Sequence, residues 1–148
     1  LRDSPTAASR HDQERSAVVT LPKVLIIDDA ETIRRSVVDA LQPAGFSVIT
    51  ANDGFQGIAT LKETRDLCLV IVDLNMPGLS GFGVLDWMRK DASPHLPPAV
   101  FMTTEVSEPQ LAQAKNAGAV GWLVKPCRPE QLVAVAKRIL AKRNLNGS

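Results

Sequence analysis

Apolar residues gather in five short runs, at Lys23–Ile27 (KVLII), Phe46–Ala51 (FSVITA), Leu67–Val72 (LCLVIV), Ala99–Met102 (AVFM) and Gly121–Val124 (GWLV). Most lack strict apolar–polar alternation, which is the pattern of strands covered on both faces. Between and after them the spacing turns helical. Ile33, Val37, Val38 and Leu41 fall on one stripe while Arg34 and Arg35 point away, and Leu132, Val135, Ala136, Ile139 and Leu140 repeat at i, i+3, i+4, i+7 and i+8. Another helix is predicted to begin at Ser107, which has Gln110 at capping-box spacing and Pro109 in the first turn. Gly45, Gly54, Gly118 and the Asn52-Asp53-Gly54 turn punctuate the ends. Five strand–helix repeats predict a single α/β domain over residues 22–143: a parallel sheet with right-handed crossovers and helices on both faces. Residues 1–21 mix Ser, Thr, Ala and charges without a sustained apolar period and are expected to be a flexible N-terminal arm. Residues 144–148 are expected to be a disordered tail.

Composition narrows the partners. Seventeen Lys and Arg stand against sixteen Asp and Glu, a formal net charge of +1, so charge makes no case for nucleic acid or an anionic membrane. The apolar runs are too short to span a bilayer, and no basic-then-apolar leader is expected at the start. Cys68 and Cys127 are too few for a disulfide framework and lack metal-ligand spacing; Cys68, inside an apolar run, reads as a buried reduced thiol. A reducing cytoplasmic compartment is the expectation.

Polar residues at the strand ends carry the chemistry. Asp28 and Asp29 stop the first strand, Asp73 the third, Thr103 the fourth and Lys125 the fifth. In an open α/β sheet the carboxyl ends of the strands hold the ligand site, particularly where strand order reverses. If the first and third strands are neighbours there, three carboxylates converge. Ionised carboxylates so close repel one another and raise each other's pKa, so cations must hold the cluster together. Lys125 supplies one fixed charge, and a hard divalent ion with oxygen ligands, Mg²⁺, suits the remainder. Taken alone, Asp28-Asp29 reads more readily as a cap for a helix starting near Ala30 than as a site. Asp73, Thr103 and Lys125 at the ends of the matching strands are what favour a site.

Val24–Asp29 (VLIIDD), Val70–Gly81 (VIVDLNMPGLSG), Met102–Glu105 (MTTE) and Lys125-Pro126 together resemble the signatures of response-regulator receiver domains, in order and spacing, across Lys23 to Arg143. MTTE with Gly118-Ala119 and GWLVKP looks most like the chemotaxis-type, CheY-like single-domain regulators. The resemblance implies a flavodoxin-like (βα)5 doubly wound fold with strand order 2-1-3-4-5. It implies that Asp73 is the phosphoacceptor, taking a phosphoryl group from a histidine of a sensor kinase or phosphotransfer protein. An ionised carboxylate is already nucleophilic and needs no general base. The Mg²⁺ ligands implied are Asp29 directly, Asp28 through water, Asp73 and the Asn75 backbone carbonyl. Lys125 would pair with Asp73 before transfer and with the phosphoryl group after it, and Lys125-Pro126 is expected to be cis. Thr103 resembles the switch hydroxyl, and Trp122 occupies the place of the coupled aromatic, more often Tyr or Phe. Read from the residues alone, Thr103 is equally an ordinary strand residue and Trp122 a side chain packed on the neighbouring helix. Asn75 and Glu105 stand where the family tunes acyl-phosphate hydrolysis, and their pairing implies a short-lived phosphoryl state.

The expected output is a protein target bound by the surface of the fourth helix, fifth strand and fifth helix, with Gln110, Gln113, Trp122 and Lys137 as candidates. No enzymatic turnover beyond phosphorylation and dephosphorylation of Asp73 is expected. The alternatives are a phosphate sink or the receiver of a larger regulator. An Asp-based phosphatase fits least, since it needs an Asp where Asn75 stands, and the P-loop motif is absent.

Overall fold

The computed structural model describes residues 20–91, 95–104 and 107–147, with side chains up to 144. The expectations for the N-terminal arm fall almost wholly outside these residues, as does the expected tuning residue Glu105.

Along the chain run β1 (Lys23–Ile27), α1 (Glu31–Leu41), β2 (Ser47–Ala51), α2 (Gly54–Glu63), β3 (Leu67–Asp73), α3 (Gly81–Asp91), β4 (Ala99–Thr103), α4 (Glu108–Asn116), β5 (Gly121–Val124) and α5 (Pro129–Gly147). The strands pair in parallel in the order β2-β1-β3-β4-β5, the flavodoxin-like topology expected. Both faces of the sheet are covered. Val24 and Ile26 of β1 pack with Val37 and Leu41 of α1 and Leu132 and Ala136 of α5. Leu25 and Ile27, one step out of phase, pack with Leu61 of α2, Val84 and Leu85 of α3 and Ala114 of α4. That double cover is why the strands read as continuous apolar runs; in the central β3 all seven residues are buried.

Several boundaries and orientations differ from the sequence reading. Asp73 and Thr103, expected to stop their strands, are instead the last strand residues. The ladder continues through them because Asp73 stands opposite Met102 and Thr103 opposite Val124. Residues 144–147, expected to be disordered, continue α5 as far as Gly147. Nothing in that stretch breaks a helix before the glycine, and Arg143 ties it down by donating from Nη1 to the Leu67 carbonyl at 2.6 Å. Arg34 does not point away from the fold: its Nη1 donates to the Asp28 carbonyl at 2.7 Å. A guanidinium is long enough to turn back along its own helix to a strand end. Ser107 caps α4 as expected, accepting from the Gln110 amide at 3.3 Å, and Cys68 is buried and free. Among the described residues no helix is long and apolar enough to cross a membrane.

Gly57 allows α2 to lie on β1, since a Cβ there would run into Ile27 Cδ1. Ile27 is wholly buried, so the neighbour has nowhere to go. Overpacking of this kind costs about 1–3 kcal/mol. Gly57→Val is therefore expected to lower the urea midpoint by that order with little change in the slope of unfolding, and a wild-type midpoint would contradict this packing.

Candidate functional site

The alternation that sorts the core also assembles the rim. Asp28 continues the phase of Val24 and Ile26, Asp73 that of Leu69 and Ile71, and Lys125 that of Leu123, all in the cluster beneath α1 and α5. Because β1 and β3 are neighbours, the first two arrive side by side. Lys125 Nζ lies 2.8 Å from Asp28 Oδ2 and 3.2 Å from Asp73 Oδ1, so one ammonium serves two carboxylates. Asp28 is wholly buried and Asp73 is 5% exposed. The Lys125-Pro126 bond is cis, as the family likeness implied.

Asp28 does more than face the lysine. Its Oδ1 accepts from the Ala30 amide at 2.9 Å and so fixes the turn that leads into α1. That bond reaches the residue before α1 and not an amide of its first turn, so Asp28 orders the entry to the helix without capping it. Oδ2 is buried and makes the ion pair with Lys125 without an aligned hydrogen bond. Asp29, exposed at the mouth, completes a trio: Asp28, Asp29 and Asp73 each offer an oxygen, all within 4.8 Å of one another. One ammonium offsets one of three carboxylates, and a divalent cation would cancel the rest. An oxygen-only donor set with an unaligned lone pair and an open side fits Mg²⁺.

Burial pushes the Asp73 carboxyl above its ordinary pKa, and the Asp28 charge adds to the rise; Lys125 and the Asn75 amide pull the other way without overcoming it. Burial works against the Lys125 ammonium, yet the two carboxylates outweigh it and hold its pKa above the usual lysine value. The Asn75 amide donates to Asp73 Oδ1 at 3.4 Å.

Thr103 has the opposite phase. It is buried, and with Trp122, Leu74, Phe101, Gln110, Leu111 and Ala114 it lines a small pocket on the α4 side of the sheet. Its carbonyl accepts from the Lys125 amide at 2.7 Å, which links this side to the acidic rim. Trp122 borders α4 but remains 43% exposed, so it is only partly packed on the neighbouring helix. Val120, just before β5, and Val124, at its end, are also exposed.

The sequence reading gave no role to two residues that shape this rim. Gly81 opens α3 where a Cβ would strike the Asp73 carbonyl oxygen and lie 2.9 Å from the Phe101 ring, so glycine lets the helix start against the end of β3. Its motif was visible, but its steric reason was not. Arg34, bonded to the Asp28 carbonyl, left no local signal.

Since Asp73 takes up a proton more readily in the folded chain than in the unfolded one, its ionised form lowers stability at neutral pH. Asp73→Asn is expected to melt higher than the wild type in metal-free buffer at neutral pH. That gain should shrink as pH falls through the raised Asp73 pKa, where the wild-type carboxyl becomes neutral. Thermal melts over a pH series check this, and a gain independent of pH would contradict it.

The profile of the response regulator receiver domain matches residues 24–137. Chemotaxis protein CheY-3 of Vibrio cholerae is 37% identical over 105 residues, 70% of this chain and 80% of that protein. Protein PilH of Pseudomonas aeruginosa is 31% identical over 121 residues, 82% of this chain and 99% of that protein. The solved structure of the chemotaxis response regulator CheY4 of Vibrio cholerae aligns with a TM-score of 0.75 at 38% identity, covering 81% of this chain and 99% of that one. A match that takes in both the sheet and its acidic rim makes this chain a member of the response regulator receiver domain family.

Proposed function

We propose that this protein accepts a phosphoryl group on Asp73 in a Mg²⁺-dependent reaction and signals through a change at the α4-β5-α5 surface. The observation that carries the reading is the convergence of Asp28 and Asp73 on one lysine, with Asp29 close enough for the three acids to share a cation. In the transfer, an Asp73 oxygen attacks phosphorus and the bond from phosphorus to the donor histidine nitrogen breaks. The imidazole leaves with the electron pair, and an acyl phosphate remains on the protein. No general base is needed, so positioning and charge shielding do the work. Asp28, Asp29, Asp73 and the Asn75 carbonyl would hold Mg²⁺, which supplies positive charge to the phosphoryl oxygens when bound. Lys125, already against Asp73, would follow the new negative charge.

Thr103 would turn toward the phosphoryl group, vacating space beside Trp122. The half-exposed indole would then settle into the pocket against Leu111 and Ala114. Redistribution between the two arrangements changes how Trp122 is presented beside the exposed Val124, a surface that a target would meet. The proposal includes a chemotaxis-type role, which the likeness to CheY-3 and CheY4 supports, with a histidine kinase or phosphotransfer protein as donor, a protein target as receiver and the cytoplasm as its place. Turnover beyond gain and loss of this phosphoryl group is not part of the proposal. Rapid loss of the group would rest on Asn75 and Glu105.

Incubation with acetyl phosphate and Mg²⁺ is expected to add one phosphoryl mass to the intact protein, and none to Asp73→Ala or to the wild type with the metal chelated. Equal labelling of Asp73→Ala would remove the assignment. Thr103→Ala is expected to bind beryllofluoride while losing most of the Trp122 fluorescence change, measured in a Trp87→Phe background. An undiminished change would place the switch elsewhere.

A further inference from the structure

Loop 74–80, between β3 and α3, carries Asn75 and is held at three points. The Gly81 amide closes its base by donating to the Leu74 carbonyl at 3.1 Å. The Asn75 amide reaches Asp73 Oδ1 at 3.4 Å. The third point is Leu79, half-buried between two glycines of different helices. A Cβ on Gly54, at the start of α2, would lie 2.8 Å from the Leu79 carbonyl oxygen and 2.9 Å from Leu79 Cβ; a Cβ on Gly83, in the first turn of α3, would strike Leu79 Cδ1. Gly83 sits inside a helix, where glycine is disfavoured against alanine. The missing methyl is the space that Leu79 fills. Leu79 thereby joins the loop to α2 and α3 at once, while the other end of the same short loop touches the acceptor carboxylate.

We propose that Leu79 is a positioning residue for the acidic rim: seated between Gly54 and Gly83, it sets the β3–α3 loop so that the Asn75 main chain stays at Asp73. It touches neither Asp73 nor a bound ion and acts through the loop. The proposal rests on the reading of the rim as a Mg²⁺-dependent acceptor site.

The test uses Mg²⁺ titration of the whole protein followed by backbone amide NMR, with melts of the metal-free protein in parallel. Leu79→Ala and Gly83→Ala are each expected to weaken Mg²⁺ binding about tenfold, the scale of losses when groups supporting a metal site are removed. Each is also expected to shift the Asn75 amide before any metal is added. Leu79→Met, which can occupy the same socket, is expected to bind as the wild type does. Once Leu79 is truncated, a methyl at position 83 keeps only an ordinary contact with the Ser80 hydroxyl at 3.9 Å. Adding Gly83→Ala to Leu79→Ala should therefore weaken binding no further and should raise the melting temperature, a non-additive pair. Wild-type affinity and an unmoved Asn75 amide in both single variants would overturn the role of Leu79, as would simple additivity in the double. A wild type that binds no Mg²⁺ would instead overturn the reading of the rim.

Discussion

Two carboxylates buried side by side can stand only if something positive stands between them, and in this fold that is the ammonium of Lys125. Like charges about 4 Å apart repel by roughly 4 kcal/mol at an effective dielectric of 20, and desolvating each adds several more. Contacts of 2.8 and 3.2 Å to Asp28 and Asp73 offset much of this. They do not offset all of it, because the Asp73 carboxyl remains raised. The rim therefore keeps an unmet demand for positive charge, and Asp29 at the open side gives a cation a way in.

Sheet geometry makes that interaction available. A strand alternates its side chains between faces, so residues sharing a phase at the ends of β1, β3 and β5 gather above one layer of helices, while Thr103 and Trp122 stand on the other. The acidic rim and the pocket of Thr103 and Trp122 are thus separated by the thickness of one sheet and joined by the Lys125 amide bonded to the Thr103 carbonyl. Under the proposed function, a charge change on one face biases packing on the other through Thr103, whose side chain lines the Trp122 pocket and would turn to the phosphoryl group.

Much of this was legible from local pattern. The five strands were recognisable within a residue at each end because both faces of the sheet are covered, which removes polar positions from the runs. The Ser107 cap was legible because its spacing to Gln110 is a matter of one helical turn. α3 had no comparable signature: Gly81 and Gly83 dilute its helical signal, and the cause of each glycine is a contact with a distant segment, the Asp73 carbonyl for one and Leu79 for the other. The tail was misread for a related reason. Its residues look like a frayed end in isolation, but Arg143 anchors α5 to a carbonyl 76 positions earlier.

What the sequence determined by itself was which residues have the chemistry and where each falls in a strand or helix, since periodicity, capping and the polar stop after an apolar run are properties of neighbours in the chain. Only the tertiary structure decided that Asp28 divides its two oxygens between the Ala30 amide and Lys125, that Arg34 turns inward, that Trp122 stands half-exposed, and that Leu79 needs two glycines. Each of those depends on distances between segments far apart in the chain. Such distances are set by how the layers pack, and no local pattern encodes them.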